Sequence, residues 1–399
     1  MSQDFWKTRL DVKEADFPEY LSFSTYQQLD KCPKKWLLSN SEYPQIWPNQ
    51  GYPRKVYGKT IMGTATHQAL EIIIKKMREE NIDHGSKNYV NLIKQEGGLR
   101  KILKREIGSL LNQVQYKENP RYLRIEKELN LRIKKKYLEE YFIQLRSFLG
   151  KLNLPHKSDK TKIKQPMKTQ ASVMTEYFVK SKVINWKGFI DLVINDTGGA
   201  TLIDFKTGRE TESHKEQLEL YQLIWMDDER VKEIPVKQLL VKYPNSEKYY
   251  EPLTKLEIEE RKDRYQAIAV KLKKDLSSDN LAKPSKENCE YCDVKQLCND
   301  YWEHLENLSE QTYGDFELEI QTNSDQQDIY AKIISSNIAE NGSIVKILFQ
   351  DIEDSYREFF IPEKNLRILN GHYDNDEEEM SKNFFIQIQK TTEVFLIND

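Results

Sequence analysis

Long apolar runs are missing from this 399-residue chain. No window approaches about 18 consecutive apolar residues, the length that crosses a bilayer core. The opening MSQDFWKTRL carries no apolar stretch behind a basic end, so neither a membrane protein nor a secreted one is expected. The chain reads as cytoplasmic, with no membrane partner. Cysteine is scarce too: 4 in 399 residues exclude a disulfide scaffold. Net charge is small, at −3. Against these absences stand 22 Tyr and 15 Phe, with 38% hydrophobic residues, which exclude wholesale disorder. The length suffices for two or three domains with real cores.

The small net charge hides two opposed blocks. Residues 99–170 hold 19 Lys and Arg against 7 Asp and Glu, a balance of +12. Residues 310–399 hold 7 against 19, a balance of −12. Such a basic half suits a polyanion, while the acidic end restores neutrality; two solvated faces are the plainer alternative. In the basic block Ile102, Leu103, Ile107, Leu110 and Leu111, then Tyr137, Leu138, Tyr141 and Leu145, repeat at helical spacing. A basic helical insertion over about residues 75–168 is expected, with 155–168 as a polar loop. Lys134-Lys135-Lys136 is its sharpest cluster for phosphate contact. Tyr116, Tyr122, Tyr137 and Tyr141 either stack on unpaired bases or fill the core, the second being the simpler reading.

Elsewhere the pattern alternates. Ser24 followed by Gln27 resembles a capping box and predicts a helix through Lys35 and Trp36. Another helix is expected from near Gly63 to about Glu80. Strands follow at 171–179, 187–195 and 200–206, the last two joined by Asp196-Thr197-Gly198-Gly199, a hairpin signal. Then come a helix over about 212–226, a strand at 236–243 and a charged helix from Thr254 into the 270s. Beyond about 310 strands are expected at 316–320, 329–335, 343–349, 358–361 and 383–389. The chain thus divides into an α/β unit over 1–308 and a small, acidic, mostly-β domain over 309–399, with an OB-like barrel as a candidate form.

The hairpin carries chemistry. Side chains alternate along a strand, so Asp204 and Lys206 project together while Ile203 and Phe205 face the core. If the hairpin forms, Asp191 on the neighbouring strand converges on Asp204. Two adjoining carboxylates repel unless a divalent cation neutralises them. A nearby lysine then positions water or stabilises charge on a phosphate, which is the chemistry of phosphodiester hydrolysis. His67 shares a helix face with Leu70, Glu71 and Ile74, and Gln217 and Tyr221 stand one turn apart. Spacing alone leaves these three as packing residues or as parts of a site.

In order along the chain, Ser24-Thr25-Tyr26, Cys32-Pro33, Gly63 with His67, Gly188-Phe189-Ile190-Asp191, Asp204-Phe205-Lys206-Thr207-Gly208 and Gln217 with Tyr221 together resemble the RecB-like branch of the PD-(D/E)XK nuclease superfamily. The style is that of Cas4 nucleases and the AddB and Dna2 nuclease domains. The resemblance covers roughly residues 21–301. It implies a restriction-endonuclease-like mixed sheet flanked by helices. It also implies Mg²⁺ or Mn²⁺ held by His67, Asp191, Asp204 and the Phe205 carbonyl, with Lys206 as catalytic lysine. Gln217 and Tyr221 match a Q-x-x-x-Y motif that places DNA and that lysine. Glu176 sits where relatives often carry a glutamate, although a structural strand Glu fits equally.

Cys289, Cys292 and Cys298 form C-x2-C-x5-C, and Cys32 is the fourth cysteine. Thiolates at that spacing favour a metal or iron–sulfur centre in a reducing compartment. Spacing does not choose between zinc and iron; the resemblance favours a [4Fe–4S] cluster tying the first helix to the end of the nuclease unit. Gly58-Lys59-Thr60 mimics the end of a P-loop, but Pro53 stands where its first glycine belongs. No ATP site or helicase motor is expected, so unwinding would fall to a partner. The expectation is a metal-dependent DNA nuclease, exonucleolytic on single-stranded or frayed ends, in repair, CRISPR adaptation or defence. A helicase, integrase or defence-complex partner would dock through the C-terminal domain. A non-catalytic DNA-end-binding scaffold and an RNA nuclease are the rival readings.

Overall fold

Ser22, two residues before the expected cap, starts the first helix: its hydroxyl accepts the Thr25 N–H at 3.1 Å. The computed structural model describes residues 3–47, 51–152, 154, 172–196, 198–307, 313–324, 328–350, 354–376 and 383–397. Helix α1 (Phe23–Lys31) stops at Cys32, which is extended, and Pro33 opens α2 (Pro33–Asn40). The expected single helix through Trp36 is therefore two, because Pro33 lacks the N–H an unbroken helix needs and is at home in a first turn. Helix α3 (Gly58–Glu80) begins more than a turn before Gly63.

The basic insertion is helical, with α4 (Lys87–Gln95), α5 (Leu99–Leu111), α6 (Val114–Lys117), α7 (Pro120–Arg132) and α8 (Leu138–Gly150). A π-helical turn, Ile133–Tyr137, joins the last two. Tyr122, Tyr137 and Tyr141 are buried with Ile102, Leu103 and Leu145 against the apolar face of α3. The tyrosines fill the core. The polar loop expected at 155–168 lies outside the described residues.

The central sheet comprises β1 (Ser172–Ser181), β2 (Trp186–Asp196), β3 (Gly199–Phe205), β4 (Val236–Lys242) and β5 (Glu247–Tyr250), in that order. Pairing is antiparallel except between β3 and β4, which are parallel and joined through α9 (Glu212–Asp227). All seven residues of β3 are buried, as expected of a central strand covered on both faces. Gly199, at φ +118°, makes the tight turn into β3. Helix α10 (Lys255–Leu276) opens on a capping box between Thr254 and Glu257. The short α11 (Lys286–Cys289) and α12 (Asn299–Glu303) follow.

The C-terminal strands are β6 (Tyr313–Ser324), β7 (Asp328–Ser336), β8 (Ile344–Phe349), β9 (Asn365–Asp376), β10 (Asn383–Ile388) and β11 (Glu393–Ile397). They run β6–β7–β8–β10–β9, and β9 also pairs with β6, closing a five-stranded ring. The β8–β10 pair is parallel, and β11 adds to β9. The strand expected at 358–361 is instead the end of a 3₁₀ turn, Asp354–Phe359, with Phe360 and Ile361 irregular. Pro362 has no N–H to give a ladder there. Strand β9 escapes sequence reading because Asn370 and Gly371 interrupt it; Asn370 takes φ +59°, where the β6–β9 register shifts.

The ring does not bury its core alone. Phe316, Ile333, Ile368 and Phe395 form one cluster with Phe5, Trp6, Tyr52, Cys292 and Trp302. Across the boundary expected near residue 308, the ring thus shares its core, among the described residues, with the N-terminal segment and the cysteine segment, not with the central sheet. Among the described residues, no helix is long and apolar enough to cross a membrane.

Candidate metal centre

Three carboxylates fall in one row across the central sheet. Thr175 pairs with Leu192 and Tyr177 with Ile190, which puts Glu176 opposite Asp191. Leu192 pairs with Ile203, which puts Asp191 opposite Asp204. Directly opposed residues of antiparallel strands share a face. Glu176 has φ +46°, an uncommon conformation for a side chain of its type.

From α3, His67 Nδ1 reaches to 3.6 Å from Asp191 Oδ2. The same oxygen accepts the Phe205 N–H at 2.7 Å. One ligand atom each from His67, Glu176 and Asp191 lies within 4.8 Å of the others. Asp204, next in the row and 2% exposed, lies outside that set. Its Oδ2 is 2.8 Å from Lys206 Nζ, without the angles of a hydrogen bond, and is otherwise buried without a partner. A buried carboxylate oxygen with an ammonium at ion-pair distance but no directed hydrogen bond keeps a lone pair that a hard cation suits. The residues present therefore fit a divalent ion.

Lys206 is held from a second side, donating to Gln217 Oε1 at 3.0 Å; Gln217 donates in turn to the Tyr221 hydroxyl at 2.7 Å. Tyr221 packs over Gly188, where a Cβ would lie 2.4 Å from the ring. The glycine three residues before Asp191 thus leaves room for the ring that steadies the lysine.

The electrostatics agree with the geometry. Burial and the Asp191 charge push Asp204 up to about 6, against the pull of Lys206. Burial, Asp191 and Glu71 push Glu176 up to about 7. Burial alone would raise Asp191 and lower His67, but their mutual attraction reverses both, so Asp191 falls and His67 rises. Carboxyls that ionise reluctantly beside one another are what a bound cation relieves.

Of these side chains His67, Glu176 and Asp191 line a cleft of about 1230 Å³, while Asp204, Lys206, Gln217 and Tyr221 are not part of its wall. Sequence reading missed several of its lining residues. Lys59 lies in the false P-loop, Arg209 follows the D-x-K strand, and Tyr243 pairs its hydroxyl with His214 Nδ1 at 2.7 Å. Glu71, one turn beyond His67, was visible by spacing. Lys134, Lys135 and Lys136 are exposed on the π-helical turn and do not line this cleft.

The cysteines gather elsewhere. Cys32 sits at the break between α1 and α2, where Lys34 N–H donates to Leu281 O at 3.0 Å and Asn288 Nδ2 to Lys31 O at 3.1 Å. Those bonds bring Cys32 beside Cys289 and Cys292, across most of the chain. All four thiols are free. Burial raises Cys289 and Cys292, and lifts Cys298 to about 12.

The model of the PD-(D/E)XK nuclease superfamily matches residues 20–299. The chain belongs to that superfamily. The match takes in all three strands of the carboxylate row, Lys206, α3 and all four cysteines. No curated protein gives a significant match. Among solved structures, the crystal structure of SSO0001 is 14% identical, covering 69% of this chain and 96% of that one, at a TM-score of 0.20.

Proposed function

We propose that this superfamily member is a metal-dependent DNA nuclease acting where the row of Asp191, Asp204 and Lys206 meets the cleft that Asp191 lines. The observation that carries the reading is Asp204: a fully buried carboxylate, opposed by Asp191, whose Oδ2 has a lysine at 2.8 Å and no directed hydrogen bond. Asp191, Asp204, His67 and the Phe205 carbonyl would hold Mg²⁺ or Mn²⁺, with Glu176 joining them. Such an ion polarises a phosphodiester and lowers the pKa of bound water. Lys206 brings positive charge to the same place, steered by Asp204 and Gln217, where it stabilises charge developing on the phosphate. Tyr221 acts through Gln217 and is a positioning residue.

In this reading the substrate is a single strand or a frayed end, cut exonucleolytically, and Cys32, Cys289, Cys292 and Cys298 hold a [4Fe–4S] cluster. What supports the cluster over zinc is the layout of one early cysteine followed by a late C-x2-C-x5-C, which resembles the iron–sulfur arrangement of the RecB-like nuclease branch. The closed strand ring is read as an OB-type barrel, and repair, CRISPR adaptation or defence as the setting.

The deciding experiment compares wild type with Asp204→Ala and Lys206→Ala on end-labelled single-stranded, duplex and circular DNA, with Mg²⁺ or Mn²⁺. Degradation by wild type, lost in both variants while each stays folded, is the expected result. A folded wild type that cuts no DNA with either ion, yet binds it, would favour an end-binding scaffold instead.

A further inference from the structure

A second depression, of about 390 Å³, lies away from the carboxylate row, between residues 55–57, α7, the cysteine segment and the barrel. Three tyrosines on its wall are unusually open to solvent: Tyr57 at 46%, Tyr291 at 66% and Tyr313 at 41% exposed. Exposed rings converging on one groove are not explained by core packing.

Cations surround them. Arg132 and Lys286 are exposed and make no side-chain hydrogen bond or ion pair among the described residues. Arg124 and Lys390 line the same groove, the latter 2.8 Å from Glu128. The groove's carboxylates are largely committed elsewhere. Glu393 is tied to buried Arg121, and Asp315 to Lys295 and to the Tyr301 hydroxyl. Glu290, beside Tyr291, is the remaining acid. The barrel is acidic in sum, yet the corner it turns to this groove offers Tyr313 and Lys390.

The groove also shares wall residues with its neighbours. Residues 55–57 line both it and a further depression of about 450 Å³ that reaches Thr60. Lys59 and Thr60 in turn line the cleft that holds His67 and Asp191. One short segment, 55–60, therefore contributes to the walls of all three depressions, from the barrel side to the carboxylates.

We propose that this groove is a second binding site for single-stranded DNA, with bases against Tyr57, Tyr291 and Tyr313 and phosphates on Arg132, Lys286 and Arg124. The strand is led along residues 55–60 into the cleft. Aromatic faces with interleaved cations suit unpaired bases of any sequence. A duplex keeps its bases stacked internally and gains little from the rings. The direction into the cleft rests on the nuclease reading; the binding site itself does not.

The test measures binding of a labelled oligo-dT of about 20 nucleotides, long enough to fill such sites, in the Asp204→Ala background so that nothing is cut. Arg132→Glu with Lys286→Glu should weaken binding about tenfold or more and flatten its salt dependence by about 0.7 in log–log slope per lost contact. Tyr291→Ala, at a ring too exposed to matter for folding, should weaken it about fivefold. Matched duplex and a polyglutamate peptide are the comparison ligands. Unchanged affinity and slope in both variants overturn the proposal, even if cleavage by wild type stands. Equal losses for polyglutamate also overturn it, reducing the groove to an unspecific anion site. Binding lost in the variants, with a wild type that cuts nothing, supports the groove and removes the nuclease reading alone.

Discussion

Glu176 lies opposite Asp191 in the β1–β2 register, and its left-handed backbone, at φ +46°, leaves that one pair unmade within an otherwise continuous ladder. The outcome is a third carboxylate whose oxygen comes within 4.8 Å of ligand atoms of His67 and Asp191. A non-glycine residue in this conformation costs about 1–3 kcal/mol and persists where the surroundings enforce it. Here the surroundings are the neighbouring Asp191 and the His67 ring.

The carboxylate row predicts how stability depends on pH without metal. Asp204, at about 6, and Glu176, at about 7, bind protons more tightly folded than unfolded. Their ionisation therefore opposes folding, and stability falls as pH rises from about 4 to about 7. His67 acts in the same sense: raised when folded, it contributes stability below its unfolded pKa, lost as pH rises through the folded value. Asp191, lowered, matters only in more acidic solution. Thermal midpoints measured with a chelator should thus drop between about pH 5 and about pH 8, and Glu176→Gln should shrink that drop. Added Mn²⁺ should raise the midpoint more at the higher pH, where the carboxylates are ready to bind. A chelated wild type more stable at the higher pH would contradict the row's electrostatics.

Gly188 and Tyr221 give a second test. A methyl at Gly188 would meet the Tyr221 ring at 2.4 Å, so Gly188→Ala must displace the ring and, with it, Gln217 and Lys206. Overpacking of this kind costs about 1–3 kcal/mol. Cleavage should fall by far more than the modest loss of stability accounts for. Tyr221→Phe keeps the ring and deletes only the hydroxyl that accepts from Gln217. Steady-state cleavage and unfolding midpoints of the two variants check this. Full activity in Gly188→Ala would mean that the ring does not steady the lysine.

Much of this site is legible in the sequence because strand geometry is simple. A hairpin at Asp196–Gly199 fixes the register, and the register brings Asp191 to Asp204. Lys206 and Asp204 share a face by the two-residue period alone. What sequence hides is whatever depends on distant packing. Glu176 joins the row through a backbone conformation no propensity foretells. Lys59 reaches the cleft because α3 starts earlier than its small residues imply. Strand β9 is masked by Asn370, whose turn chemistry reads as a loop. The shared core of barrel and cysteine segment rests on Trp6, Tyr52 and Trp302, residues far apart in the chain.

The barrel's attachment predicts a third outcome. Arg121, with its side chain 3% exposed, makes a two-pronged contact with Glu393, Nε to Oε1 at 2.7 Å and a terminal nitrogen to Oε2 at 3.1 Å. It also donates to the carbonyls of Pro53 and Asp293 at 2.7 Å each. Glu393→Gln leaves that guanidinium buried without its counter-charge, which costs about 3–5 kcal/mol. Lys55, 3.7 Å from Glu393, loses its partner too. Denaturant unfolding should show the loss in the main transition and not as early melting of the barrel, since one core spans both parts. Two separate transitions in wild type would refute that coupling.

The cysteines predict a metal dependence that cleavage assays alone would miss. Without a bound cation, burial holds Cys289, Cys292 and Cys298 as neutral thiols, Cys298 up to about 12. A metal centre must displace those protons, so its loss should accelerate as pH falls. In the proposed centre Cys32 would be the ligand most remote in sequence, at the α1–α2 break that Asn288 already ties to the segment around Cys289. Cys32→Ser should therefore do two things together: strip iron and inorganic sulfide from the purified protein, and lower its unfolding midpoint, because the ligand also closes a very long loop. Metal and sulfide analysis of wild type and variant decides the first, and thermal unfolding the second. A colourless wild type carrying one zinc would replace the cluster with a zinc site. A Cys32→Ser protein with full iron and unaltered stability would take Cys32 out of the centre altogether.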